Sequence, residues 1–238
     1  MIKLSVNINK VALIRNSRGG NYPDIVQIAK DCEMFGADGI TIHPRPDERH
    51  IRYSDIPALK EVVLSELNVE GNPTDRFMKE VLLHKPHQCT LVPDSPSALT
   101  SDKGFDTITE KAFLESIVKA LQAEGIRVSI FIDPIPEMVE GAFSTGADRV
   151  EFYTGDYSAL YESNGEKAIE PHLVASSKAE ELGIGVNAGH DLNLLNLKYY
   201  AMHIPNLIEV SIGHALIADS LYYGLSNAIP MYKHLLHR

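Results

Sequence analysis

The sequence predicts an α/β fold, a (β/α)8 TIM barrel with one additional C-terminal helix, and two features carry that prediction. One is a recurring phrase in which a helix stops at glycine and a strand begins at once. It reads Phe35-Gly36-Ala37-Asp38-Gly39-Ile40, Glu124-Gly125-Ile126-Arg127-Val128, Thr145-Gly146-Ala147-Asp148-Arg149-Val150 and Leu182-Gly183-Ile184-Gly185-Val186. Glycine just past a helix takes the left-handed conformation that closes the last turn, and the β-branched residues after it suit a buried parallel strand. The other is a count: eight strand patterns alternate with eight helical patterns over 238 residues, a length such barrels reach as one domain, 1–238.

In chain order, the first strand is 4–7, and the second, 39–43, follows helix 24–35 through the first glycine phrase. Helix 54–64 leads to strand 67–70, and helix 74–83 to strand 88–92. The later phrases join helix 109–124 to strand 127–133, helix 136–145 to strand 149–152, and helix 169–182 to strand 185–187. Helix 193–203 leads to strand 208–212, which helix 214–223 closes. Long connections, 93–106 and 154–168, fall after strands four and six, where barrel enzymes place functional loops. A final amphipathic helix, 225–236, either caps its own barrel or packs on a neighbouring subunit. An open doubly wound sheet is the alternative, but it favours a GxGxxG turn after strand one, where Asn7-Ile8-Asn9-Lys10 stands instead.

A net charge of −10 argues against nucleic acid or an anionic membrane as the main partner, so any bound anion needs a local cationic site. The N-terminus does not resemble a secretory signal, and no run approaches the ~18 apolar residues of a membrane span. Cys32 and Cys89 share no metal-ligand or CxxC spacing and read as buried thiols of a reducing cytoplasm.

The chemistry gathers at the strand ends. Strand two runs into His43-Pro44-Arg45-Pro46, where the prolines keep the chain extended and set His43 and Arg45 on one face. An imidazole beside a guanidinium suits an anionic substrate, although a quiet strand-end histidine has the same pattern. The other ends deliver Asn7, Glu70, Thr100 in the loop past strand four, Asp133, Glu151, His190 and Gly213-His214. Glu70 reads as a general base or as the partner of a rim arginine, and Asp133 as structural, a possible helix cap. Gly189-His190 and Gly213-His214 follow strands seven and eight, where glycine lets backbone N–H groups approach a phosphate. Arg15 and Arg18 lie in a basic segment of the first loop that could close on a second phosphate.

These residues carry a resemblance. Asn7-Ile8-Asn9, Arg15-Asn16-Ser17-Arg18-Gly19, Tyr22-Pro23-Asp24, Gly36 to His43, Arg45, Arg49-His50-Ile51, Lys85-Pro86-His87, Asn187-Ala188-Gly189-His190 and Ile212-Gly213-His214-Ala215 resemble the pyridoxine 5′-phosphate synthase family along the whole chain. The resemblance implies a cofactor-free and metal-free barrel, a homo-octamer. It implies condensation of 1-deoxy-D-xylulose 5-phosphate with 3-amino-2-oxopropyl phosphate into pyridoxine 5′-phosphate, phosphate and water. It further implies His43 and Glu70 as proton acceptors, His190 as donor and Glu151 as transition-state stabiliser. Asn7, Arg18, Gly213 and His214 would hold the amino ketone, and Arg45, His50 and Thr100 the sugar phosphate. Asn9-Lys10 replaces the usual Asp-His, keeping a cation, and Asp191 stands where glycine is usual, so these three are carried over as binding positions, Asp191 through its backbone alone.

Other readings are another phosphosugar aldolase or isomerase, a metal-dependent hydrolase, and a non-catalytic phosphate-binding barrel. No lysine ends an inner strand for a Schiff base, and arginine takes the place of a second metal ligand after His43. A mere binding module has no need of His43, Glu70 and His190 together.

Overall fold

The computed structural model describes residues 1–94 and 101–237. In order, the elements are β1 (Lys3–Asn7), α1 (Asn9–Asn16), α2 (Ile25–Met34), β2 (Gly39–Ile42), α3 (Asp55–Val62), β3 (Leu67–Gly71), α4 (Asp75–His84) and β4 (Gln88–Leu91). There follow α5 (Lys111–Ala123), β5 (Arg127–Ile132), α6 (Pro136–Ser144), β6 (Arg149–Phe152), α7 (Gly155–Tyr161), α8 (Gly165–Leu182), β7 (Gly185–Gly189), α9 (Leu197–His203), β8 (Leu207–Ile212), α10 (His214–Tyr223) and α11 (Leu225–Leu235). All eight strands are parallel and close in sequential order, β8 pairing with β1. The expected (β/α)8 barrel is therefore the fold. The glycines of the recurring phrase, Gly36, Gly125, Gly146 and Gly183, all take positive φ, from 74° to 104°, as helix closure requires.

Most strands alternate apolar and polar residues, as in Leu67-Asn68-Val69-Glu70, and the two sets face opposite ways, although Ile130-Phe131-Ile132 in β5 and Leu207-Ile208 in β8 break the pattern. The apolar set, including Leu4, Ile40, Val69, Leu91, Ile130, Val150, Val186 and Val210, is buried with the helices' inner residues in one core around the barrel. The polar set meets in the lumen, where Ser5 Oγ lies 2.7 Å from Thr41 Oγ1, and Thr90 Oγ1 donates to Asn68 Oδ1 at 3.1 Å. At the strand N-terminal end, ion pairs join Lys3 to Glu66 at 3.3 Å and Arg149 to Glu209 at 3.6 Å, and Arg127 to Glu66. Burial of titratable groups in the lumen thus starts at the floor and continues to the rim.

Three expectations need correcting. The segment read as the first loop is helix α1, which buries Val11, Ala12 and Arg15. Connection 154–168 holds α7 and the start of α8, because Tyr157 is buried with its hydroxyl donating to Asn196 O at 2.8 Å, and Asn164 caps α8 by accepting Lys167 N–H. Asp133 does not cap α6; its carboxylate accepts Gly104 N–H at 3.2 Å across the rim.

Helix α11 packs on its own barrel. Ala228, Ile229 and Tyr232 are buried, and Lys233 Nζ donates to both Asp38 carboxylate oxygens at 2.7 Å. Both cysteines are buried free thiols, and burial pushes Cys32 up to about 12. Among the described residues no helix is long and apolar enough to cross a membrane.

Candidate active site

At the C-terminal rim of the strands lies a cavity of about 550 Å³, within the range usual for small-ligand sites. Ten of the expected residues line it: Asn7, Asn9, Lys10, His43, Arg45, His50, His190, Asp191, Gly213 and His214. Glu70 and Glu151 are buried in the lumen. Arg18 is exposed beyond α1 and does not line the cavity. Thr100 lies outside the described residues.

The first wall is assembled by short side chains. Asn7 Oδ1 accepts Asn9 N–H at 3.0 Å, and Asn9 Oδ1 accepts His43 N–H at 2.9 Å. Asn9 therefore holds the backbone of His43 and leaves its amide Nδ2 for a ligand. The His43 ring stands 6.2 Å from that of His50. Ile51 N–H donates to His50 Nδ1 at 2.9 Å, so the neutral ring carries its proton on Nε2 as a donor. Burial, Arg45 and Lys10 push His50 down to about 4, and burial, Arg45 and His50 hold His43 well below the usual imidazole range.

Arg15 is no phosphate ligand. It is almost wholly buried, forms two parallel hydrogen bonds to Asp55 at 2.8 and 2.9 Å, and donates to His50 O at 3.0 Å. Asn16 Nδ2 reaches the carbonyls of Glu48, Arg49 and His50 at 2.7–3.2 Å. The C-terminal end of α1 thus fixes the cationic loop rather than adding charge to it.

Sequence reasoning missed Asp94 and Ser101. Arg45 Nη2 donates to Asp94 Oδ2 at 2.6 Å, and Ser101 Oγ donates to the same oxygen at 2.6 Å. An acidic residue just past a strand end, next to Pro93, was the available signal. Arg45, buried with a carboxylate beside it, presents a pre-oriented fork toward the cavity.

Below the rim, neither carboxylate oxygen of Glu70 has a hydrogen-bond partner among the described residues. Burial, then Glu151 and Asp94, hold its carboxyl well above the usual range. Burial and Glu209 push Glu151 up to about 8, with the Thr90 hydroxyl opposing. Two carboxyls so placed do not both ionise at neutral pH, so the lumen holds an exchangeable proton. His190 Nδ1 lies 3.9 Å from Glu151 Oε1, too long for a hydrogen bond and close enough for charge. Burial lowers its pKa, with Asp191 opposing. The N–H of Asp191 already donates to Gly189 O at 2.9 Å, so the binding role expected of its backbone has no donor left for a ligand. Beside that first wall, Gly213 opens α10 so close to Asn7 that a Cβ would sit 3.1 Å from its side chain, and the helix N-terminus faces the cavity.

Residues 4–238 match the family described as pyridoxal phosphate biosynthesis protein PdxJ. The chain belongs to this family. Within it, the chain is 58% identical over 232 residues to a pyridoxine 5′-phosphate synthase of Cytophaga hutchinsonii, covering 98% of each chain. A pyridoxine 5′-phosphate synthase of Phocaeicola vulgatus is 56% identical over 236 residues, covering 99% of each. Among solved structures, the 3-keto-L-gulonate-6-phosphate decarboxylase of Vibrio cholerae superposes with a TM-score of 0.68 at 11% identity, covering 99% of this chain and 97% of that one, a likeness of fold alone.

These buried groups give this PdxJ-family chain a defined pH dependence of stability. Glu151 at about 8 in the fold lies above its unfolded value of ~4.3, so the folded state keeps a proton that the unfolded state has lost. Stability from this group therefore falls as pH rises through that window. His50 and His172, at about 4 in the fold, act oppositely: their contribution is full above ~6.5 and lost on acidification. Between pH ~6.5 and ~8 the raised carboxyls of Glu151 and Glu70 dominate, Glu151 contributing at most about 2 kcal/mol or roughly 4–8 °C in melting temperature. Thermal unfolding should show the wild type declining over this interval and Glu151→Gln declining less, since Glu70 still gives up a proton on unfolding. A level or rising wild type contradicts the assignment.

Proposed function

We propose that the chain is a pyridoxine 5′-phosphate synthase, joining 1-deoxy-D-xylulose 5-phosphate to 3-amino-2-oxopropyl phosphate with release of phosphate and water. The observation that carries this reading is the meeting, at one rim, of phosphate-binding groups with His43, Glu70, Glu151 and His190. Arg45, His50 and Lys10 supply donors to the cavity, as does Gly213 with the start of α10, two groups of donors for two phosphate-bearing substrates. The amino ketone's ammonium offsets the cost of an ionised Glu70 in the lumen, where among the described residues no hydrogen bond holds its carboxylate.

The chemistry then divides among the residues. His43, held neutral, accepts a proton from the sugar phosphate as the imine forms. Glu70 accepts protons during dehydration and ring closure. His190 donates to the leaving oxygen, and the Glu151 carboxyl behind it supplies the proton that recharges the imidazole and, once ionised, stabilises the developing positive charge. No step calls for a cofactor or metal in this scheme. Thr100 and Arg18 are assigned to the sugar phosphate and the amino ketone on resemblance alone. The proposal extends to a homo-octamer in the cytoplasm. Supporting assembly, Leu221 and Tyr222 of α10 are 76% and 86% exposed, an apolar surface that α11 does not cover.

The experiment follows pyridoxine 5′-phosphate and inorganic phosphate together. Both should appear in equal amounts with the two substrates present and not appear when either is omitted. Tight binding of both substrates with no product would favour the binding-module reading.

A further inference from the structure

The backbone at His190 is held in a conformation that needs explaining. Its φ is 54°, and Gly189 O accepts Asp191 N–H at 2.9 Å across it, a γ-turn of the positive-φ kind. Residues with a Cβ rarely adopt that turn, and it persists only where the surroundings hold it.

Two of the holds are made with the backbone of β8. His190 N–H donates to Ser211 O at 3.2 Å, and Gly189 lies so close that a Cβ there would stand 2.4 Å from the same oxygen. The third is a side chain from the neighbouring strand end. Thr154, fully buried just after β6, donates its hydroxyl to Gly189 O and accepts Asp191 N–H at 3.4 Å. One hydroxyl thus bridges the carbonyl before His190 and the N–H after it.

We propose that Thr154 is a positioning residue for the reaction, its hydroxyl locking the turn that keeps the His190 ring over the cavity and beside Glu151. Thr154 does not line the cavity and touches no substrate there; it acts through the backbone that carries His190. The same bridge turns the Asp191 N–H inward, which accounts for a residue with a Cβ and a charge following His190 without presenting that N–H to the phosphate. This inference rests on His190 serving as the acid.

The test compares Thr154→Val, Thr154→Ser and His190→Gln by steady-state kinetics and by NMR of the imidazole nitrogens across pH. Thr154→Val keeps the shape and removes the hydroxyl. Its kcat should fall at least about tenfold, because misplacement of a catalytic group by ~1 Å costs up to ~10²-fold. KM for both substrates should stay within about twofold, since uniform binding is untouched. The His190 ring signals should move in position and titration while those of the other nine histidines stay in place. Thr154→Ser should restore kcat and the His190 signals. If Thr154→Val does not fold, Thr154→Ala carries the same expectation. Wild-type kcat with unmoved His190 signals in the valine variant overturns the proposal, as does a serine variant that loses as much as the valine one. His190→Gln with full turnover overturns the functional reading beneath it, whereas an inactive His190→Gln beside a fully active Thr154→Val overturns the role of Thr154 alone.

Discussion

Replacing Glu70 with glutamine lowers turnover by about 10²–10⁴-fold and leaves the fold and sugar-phosphate binding in place. Glu70 lies at the end of β3, buried, with both oxygens lacking partners among the described residues. A carboxyl so placed is poorly stabilised as an anion in the resting protein. Glutamine has the shape of its protonated form, so the exchange removes proton transfer without opening a cavity. The neutral side chain also relieves repulsion from Glu151 and Asp94, and thermal stability near neutral pH should hold or rise. Near-normal turnover would remove Glu70 from the mechanism. A large drop in melting temperature would instead make it a structural residue.

The second large effect is expected at Arg45. Arg45→Met leaves Asp94 buried with its main cation gone, a change that costs about 3–5 kcal/mol of stability. It also deletes a charge-assisted contact to the sugar phosphate worth roughly 1.5–3 kcal/mol, or about 10–150-fold in KM. The two losses separate in the double variant Arg45→Met with Asp94→Asn. Removing the orphaned charge should return most of the stability, while KM for 1-deoxy-D-xylulose 5-phosphate stays high. Recovery of both would mean that Arg45 only holds the rim together. Urea unfolding and steady-state kinetics on the three proteins read both quantities.

Much of this arrangement could be read from the chain, for physical reasons. The helix-glycine-strand phrase is a local signal, and it located the strands of β2, β5, β6 and β7 because the left-handed closure at Gly36, Gly125, Gly146 and Gly183 depends only on neighbouring residues. The rim residues followed, since a parallel barrel carries every strand's last residues to one end. What escaped depended on partners far away in sequence. Arg15 looks like a loop cation until Asp55, forty residues on, is seen beside it. Asp94 and Thr154 act on Arg45 and on the peptide units around His190, and beyond the strand-end position of an acid beside Pro93 neither interaction leaves a pattern in its own segment. Helix α1 buries only three residues, too few for a clear period. The polar lumen has a local pattern, by contrast, in the alternation of most strands, with Asn68 and Glu70, and Gln88 and Thr90, on the inward set.

In the proposed mechanism, side chains alone move the protons of this condensation. Its most direct test is the paired assay of pyridoxine 5′-phosphate and phosphate on protein exhaustively treated with chelator. The mechanism predicts undiminished turnover, with the two products appearing one for one. Turnover that disappears on chelation and returns only with an added metal ion would contradict it.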